Sequence, residues 1–272
     1  MAAIQSLKKQ LRGIRSTQKL TKAMKTISSI KFSNLNEKYR NYSAYGAQCR
    51  ALFENYGRGL LARLGTADEN APIALVVMAA NKGLCGSFNS ELLSFAAKEL
   101  LKYDSPLIVA CGKKAAAYFK NKNIPVEKEC VFNDVPTYEE SSQLLDELIA
   151  WRKEGKISDI LVIYPQYKNM MTQSPAVSEL FHSGDGSAAD NITYFPDMDS
   201  IITRAADTVF RSMFYDLVIQ TAIGAQASTL LTMRSAFDTA SEYCVKLEGE
   251  INRMRQSAVT ADVLETSSES SW

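Results

Sequence analysis

"LLTMRSAFDTASEYCVKLEGEINRMRQSA", residues 230–258, decides the fold. Leu230, Met233, Phe237, Ala240, Cys244, Leu247, Ile251, Met254 and Ala258 recur at spacings of three and four without a miss. An apolar period of 3.5 held over four repeats is the mark of a coiled-coil seam rather than of a helix lying on a globular core. Arg234, Asp238, Glu242, Lys246, Glu250 and Arg253 fall between the seam positions and supply its solvated flank.

A seam needs a partner, and the opposite end of the chain offers one. Ile4, Leu7, Leu11 and Ile14 keep the same three-four rhythm, which turns polar at Gln18 and Thr21 and resumes at Met24 and Ile27. All seven prolines lie between residues 72 and 196. A proline inside a helix costs about 3 kcal/mol, so two long uninterrupted helices are expected to flank a domain with turns. Helices joined through one central domain pair by running back alongside each other, which gives an antiparallel coiled coil. About 50 helical residues at 1.5 Å each make a rod of roughly 75 Å, with the C-terminal helix overhanging. The expected layout is an N-terminal helix over 1–58, a central α/β domain over 72–192, a C-terminal helix over 198–265 and a flexible tail over 266–272.

The middle alternates strand and helix patterns. "IALVVMAA" (73–80), "PLIVACG" (106–112), "VEKECVF" (126–132) and "DILVIYPQY" (159–167) read as strands, the third at an edge. "MMTQSPAVSELF" reads as the hairpin partner of the last. Helical patterns fill 89–103, 113–122 and 138–155. The alternation predicts a Rossmann-like α/β sheet with helices on its faces. "HSGDGSAADN" (182–191) is a polar loop leading back to the long helix.

Composition narrows the chemistry. The 272 residues are 46% hydrophobic and 22% charged with a net charge of +1, so whole-molecule charge draws neither nucleic acid nor membrane. Charge is nevertheless unevenly placed. Residues 1–36 hold eight Lys/Arg and no acid, whereas nothing beyond Arg255 is basic. The basic start resembles a transit peptide, but its helix runs on past residue 50 with Glu37 and Glu54. Its cations lack interleaved aromatics and its apolar positions belong to a seam, which argues against nucleic acid. Five scattered cysteines without a CxxC pair imply reduced thiols, and a single histidine, His182, removes most triads and metal sites.

"NKGLCGSFN" (81–89) stands between a strand and a helix, where α/β folds bind phosphates. It has neither the dinucleotide glycine spacing nor GK[ST]. Gly83 and Gly86 are expected to permit a tight turn with Cys85 exposed at its tip, and no histidine lies near enough in sequence to make that thiol catalytic.

Three stretches resemble a known family. "STQKLTKAMKTISSIKF" is similar to the N-terminal helix of the γ subunit of rotary ATP synthases, "NKGLCGSFN" to its strand-to-helix "DRGLCG-x-N" loop, and "INRMRQSAVTADVLE" to its C-terminal "N-x-x-R-Q-x-x-I-T-x-E-L-x-E" segment. The resemblance implies a central-stalk rotor without an active site, cofactor or metal of its own. Its partners would be three α and three β subunits, the ε subunit and the membrane c-ring, on the cytoplasmic face of a bacterial membrane. Carried over by position, Arg255, Gln256 and Thr260 would meet a β-subunit loop, and Met24, Lys22, Lys25 and Cys85 its acidic lever. Tyr194 and Phe195, in "TYFPD", would lie near the ring, although Phe195 stands where the family has an acid. The tail "TADVLETSSESSW" replaces the family's apolar end and is expected to fray beyond Leu264.

Overall fold

The computed structural model describes residues 2–62, 70–180 and 198–269. Ten elements follow in order: α1 (Ala2–Ala62), β1 (Ala74–Met78), α2 (Phe88–Leu100), β2 (Leu107–Cys111), α3 (Lys113–Asn121), β3 (Lys128–Cys130), α4 (Tyr138–Lys153), β4 (Ile160–Tyr167), β5 (Gln173–Glu179) and α5 (Met198–Glu269). α5 continues past residue 265, where the polar tail was expected to end it, and residues 270–272 lie outside the described part.

The chain divides into two compact units, and the division falls inside the long helices. One unit joins Met1–Ser28 to Leu230–Trp272, and the other is Ser29–Thr229. The larger unit thus holds the inner halves of α1 and α5 together with the sheet and its helices.

In the larger unit the strands are ordered β3-β2-β1-β4-β5. The first four are parallel, and β5 closes the edge antiparallel to β4. Every residue of β1 is buried, as a central parallel strand covered on both faces requires. Side chains alternate between the two faces. Leu75, Val77, Ile108, Ala110, Leu161 and Ile163 pack with α2 and α3 through Leu92, Leu93, Ala96, Ala115 and Phe119. Val76, Met78, Val109, Val162 and Tyr164 face α4, through Leu144, Leu145 and Leu148, and the long helices, through Phe53, Phe210 and Phe214. Without the inner halves of α1 and α5 this second face would be open, which is why they belong with the sheet. α4 starts at a capping box, in which Thr137 accepts from the Glu140 amide and Glu140 accepts from the Thr137 amide.

One backbone position shapes the end of β2. Gly112, between β2 and α3, has φ of 96°, and a Cβ there would lie 2.1 Å from the Ala79 carbonyl oxygen. Its N–H donates to Cys130 O at 2.7 Å, tying β3 to the β2–α3 turn.

Candidate functional site

In the smaller unit, α1 and α5 pair along the expected seam. Leu11, Cys244, Leu247 and Ile251 are buried together, with Ile4, Leu7 and Ile14 packed against them. Arg15 donates to Glu248 at 2.7 Å, Gln18 Nε2 donates to Ser241 Oγ at 2.8 Å, and Lys25 Nζ lies 5.1 Å from the Phe237 ring centroid. As numbers rise on α1 their partners' numbers fall on α5, so the pairing is antiparallel. Met233 and Ala240 are buried on α5, and Leu230 and Phe237 are half-buried.

The polar step in the seam is filled. Gln18 finds Ser241, which itself donates to Phe237 O at 2.8 Å, while Thr21 is buried and donates to Gln18 O at 3.0 Å. Beyond it, the apolar register does not return at Met24 and Ile27 as expected. Ile27 is 53% exposed, whereas Ser28 is buried and Lys25 half-buried. A strict heptad from Leu7, Leu11, Ile14 and Gln18 leads through Thr21 to Lys25 and Ser28, so the period overrules hydrophobicity here. The apolar Leu20 and Ile27 stay in solvent while Met24 is half-buried.

The residues expected to meet catalytic subunits are placed by this geometry. Lys22 is exposed, while Lys25 lies over an aromatic face. On α5, residues 252–261 are all exposed, among them Met254, Arg255, Gln256 and Thr260. Met254, expected in the seam, is 36% exposed because the pairing has run past its last buried layer at Ile251. Thr260 Oγ1 donates to Gln256 O at 2.9 Å, satisfied within its own helix.

The 81–89 loop belongs to the larger unit, and its structure reverses one expectation. Cys85 is 2% exposed, packed with Phe88 and Ala225, while its neighbour Leu84 is turned to solvent. The left-handed positions are Leu84 (φ 65°) and Gly86 (φ 54°), so of the two glycines only Gly86 supplies the turn. Asn89 organises the loop: its Oδ1 accepts from Ala80 N at 3.0 Å, and its Nδ2 donates to Lys82 O at 3.2 Å and Cys85 Sγ at 3.0 Å. Burial pushes the Cys85 thiol pKa up, against lowering by the Asn89 hydrogen bond and the Lys114 charge. A raised thiol holds little thiolate at neutral pH and is a poor nucleophile. α5 closes over the loop. Ser228 Oγ donates to Cys85 O at 2.7 Å, and at Gly224 a Cβ would come within 3.2 Å of the Phe88 ring. The small residues of "GAQAS" (224–228) were the sequence signal for this close approach.

An ion cluster beside the loop was not foreseen. Asp134 accepts from Lys82 at 2.8 Å and from Lys31 of α1, while Asn81 Nδ2 donates to Phe132 O at 2.7 Å. Burial opposes ionisation of Asp134, but the hydrogen bonds from Lys31 and Lys82 outweigh it and hold the carboxyl below its usual range. Tyr194, Phe195 and His182 lie outside the described residues. Among the described residues no group of His, Cys, Asp and Glu has a metal-binding arrangement, and no helix is long and apolar enough to cross a membrane.

Residues 3–268 match the family model described as ATP synthase. The chain belongs to the ATP synthase gamma chain family. An ATP synthase gamma chain of Symbiobacterium thermophilum is 28% identical over 280 residues, covering 96% of this chain and 94% of the relative. The ATP synthase gamma chain of Psychrobacter arcticus is 24% identical, with 97% of each covered. Among solved structures, the chain resembles one in the Euglena gracilis mitochondrial ATP synthase rotor, with a TM-score of 0.67 at 16% identity, covering 95% of this chain and 99% of that one. Two long terminal helices and a mixed sheet are the fold that the two chains share.

Proposed function

We propose that this gamma chain transmits torque between the ion-driven c-ring and the catalytic α/β hexamer, as a rotor subunit without an active site of its own. The observation that carries the reading is the bare stretch of α5: residues 252–261 are exposed, and they hold Arg255, Gln256 and Thr260. An exposed single helix in water is marginal, because helical stability in proteins comes chiefly from packing. Surrounding subunits provide that packing in the assembled complex.

Three α and three β subunits surround the paired helices, and a lopsided axle presents a different face to each catalytic site. Only differential contact biases a conformation, so rotation cycles each site through states of different nucleotide affinity. Arg255 suits a β-subunit loop because its planar fork makes paired bonds to carboxylates. Lys22 faces the acidic lever directly; Lys25 contributes with its charge set against Phe237, and Met24 lies beside both. At the loop, Cys85 acts from beneath by holding the turn, and exposed Leu84 and Lys82 make the contact. Tyr194 and Phe195 approach the c-ring, the ε subunit binds the α/β domain, and the assembly is peripheral to the cytoplasmic face of a bacterial membrane.

The test is ATP-driven ion pumping by the reconstituted complex carrying Arg255→Ala with Gln256→Ala. Pumping per ATP hydrolysed is expected to fall severalfold while assembly persists; unchanged coupling would overturn these contacts.

A further inference from the structure

β3 and β2 place two thiols opposite each other. Cys111 and Cys130 are direct register partners on parallel strands, so their side chains project from the same face of the sheet. Cys111 is buried in the core on that face, and half-buried Cys130 packs against the same cluster. Neighbouring strands lie about 4.7–4.9 Å apart, inside the roughly 4.4–6.8 Å Cα separation that a disulfide spans. We propose that Cys111 and Cys130 are a peroxide-oxidisable dithiol, with Cys130 as the attacking sulfur and Cys111 as the resolving one, forming a reversible tether between β2 and the edge strand β3.

Position decides the roles. β3 is a three-residue edge strand, so Cys130 is the thiol that an oxidant can approach. The hydrogen bond from Cys111 lowers the Cys130 thiol pKa, burial opposes this, and the Lys128 charge adds to the lowering, while Glu147 and Glu140 act the other way. The Cys111 thiol is raised, first by that same hydrogen bond and then by burial, so it keeps its proton until the second step. The other three cysteines, Cys49, Cys85 and Cys244, are all buried.

The oxidant is hydrogen peroxide. The Cys130 thiolate attacks one peroxide oxygen, the O–O bond breaks, and a Cys130 sulfenic acid forms with release of hydroxide, which takes up a proton as water. The Cys111 sulfur then attacks the Cys130 sulfur, the S–O bond breaks, and the departing hydroxide leaves as water with the Cys111 proton. Two thiols are oxidised to one disulfide and one peroxide is reduced to two waters. Cys130 is half-exposed on the edge strand, and exposed disulfides are the more easily reduced ones. The tether is therefore reversible by a dithiol. It would clamp the strand whose following loop carries Asp134, the anchor for Lys31 and Lys82.

The experiment treats the full-length chain with hydrogen peroxide, blocks remaining thiols by alkylation and maps peptides by mass spectrometry without reduction. The expected result is a Cys111–Cys130 linked peptide lighter by two hydrogens, restored to two alkylated thiols by a dithiol. Cys130→Ser should lose the linked peptide entirely. Cys111→Ser should leave a Cys130 sulfenic acid that a dimedone-type reagent traps. Should Cys130 in the unsubstituted chain pass to sulfinic acid with no crosslink, or should both thiols alkylate fully after peroxide, the proposal is overturned. A circular dichroism melt of each variant separates loss of the crosslink from loss of the fold.

Discussion

The same two helices are buried in two different ways. Over their inner halves, α1 and α5 cover a sheet, and Leu35, Phe210, Phe214 and Ile219 are wholly removed from solvent. Over their outer halves they have only each other, and the buried layers of the seam, Leu11, Cys244, Leu247 and Ile251, each retain some exposure. A sheet face offers a broad surface that closes around side chains to interior density. A two-helix seam leaves every apolar residue with one flank in water. Each long helix is therefore packed against a sheet along its inner half and against a single helix along its outer half.

The largest expected effect lies in the anchor. Phe214→Ala should cost about 3–5 kcal/mol, read as a lowered midpoint in denaturant unfolding of the whole chain. In the seam, Leu247→Ala should cost about 2 kcal/mol, the low end for leucine truncation, with faster amide exchange confined to residues 4–28 and 230–251. Equal costs at the two sites, or exchange that accelerates throughout the sheet, would break the comparison. Gly112→Ala probes the anchor's backbone: a side chain at its positive φ costs roughly 1–3 kcal/mol before the contact with Ala79 O is relieved. Thermal melting measures it.

Smaller effects sharpen the contrast. Gln18→Leu should stabilise the seam slightly, since a polar seam residue is held for register at a cost in stability, and Ser241 keeps its bond to Phe237 O. A destabilised seam would show that the Gln18–Ser241 bond contributes more than its apolar replacement. Asp134 supplies a pH dependence. Its folded carboxyl is depressed, so its contribution is present above the unfolded carboxylate pKa and is lost as pH falls through the folded value. Asp134→Asn should flatten that acid limb in melts recorded from neutral pH downward.

Much of this was legible from period alone. The heptad of 230–251 found its partner, and five strand patterns landed on the five strands, β1, β2 and β4 among them because parallel core strands are largely continuous apolar runs. What period did not reveal was where the seam stops being a seam. Phe210 and Phe214 keep helical spacing whether they face a helix or a sheet, so the unit boundary inside α1 and α5 was hidden. Ile27 misled because hydrophobicity suggested a register that the strict heptad places one residue later. Cys85 misled because a loop between two glycines suggests exposure, while the complementary signal, Gly224 and Ser228, lies far away on α5. Asp134 was missed because its two lysines come from α1 and from the 81–89 loop.

We have proposed that this chain turns as an axle in the assembled complex. The most direct test immobilises the α/β hexamer, attaches a visible probe through Leu101→Cys, a position 86% exposed on the α/β domain, and follows the probe under ATP. Sustained rotation in one direction that stops when ATP is withdrawn is the expected result. Continued ATP turnover with a stationary probe would contradict it.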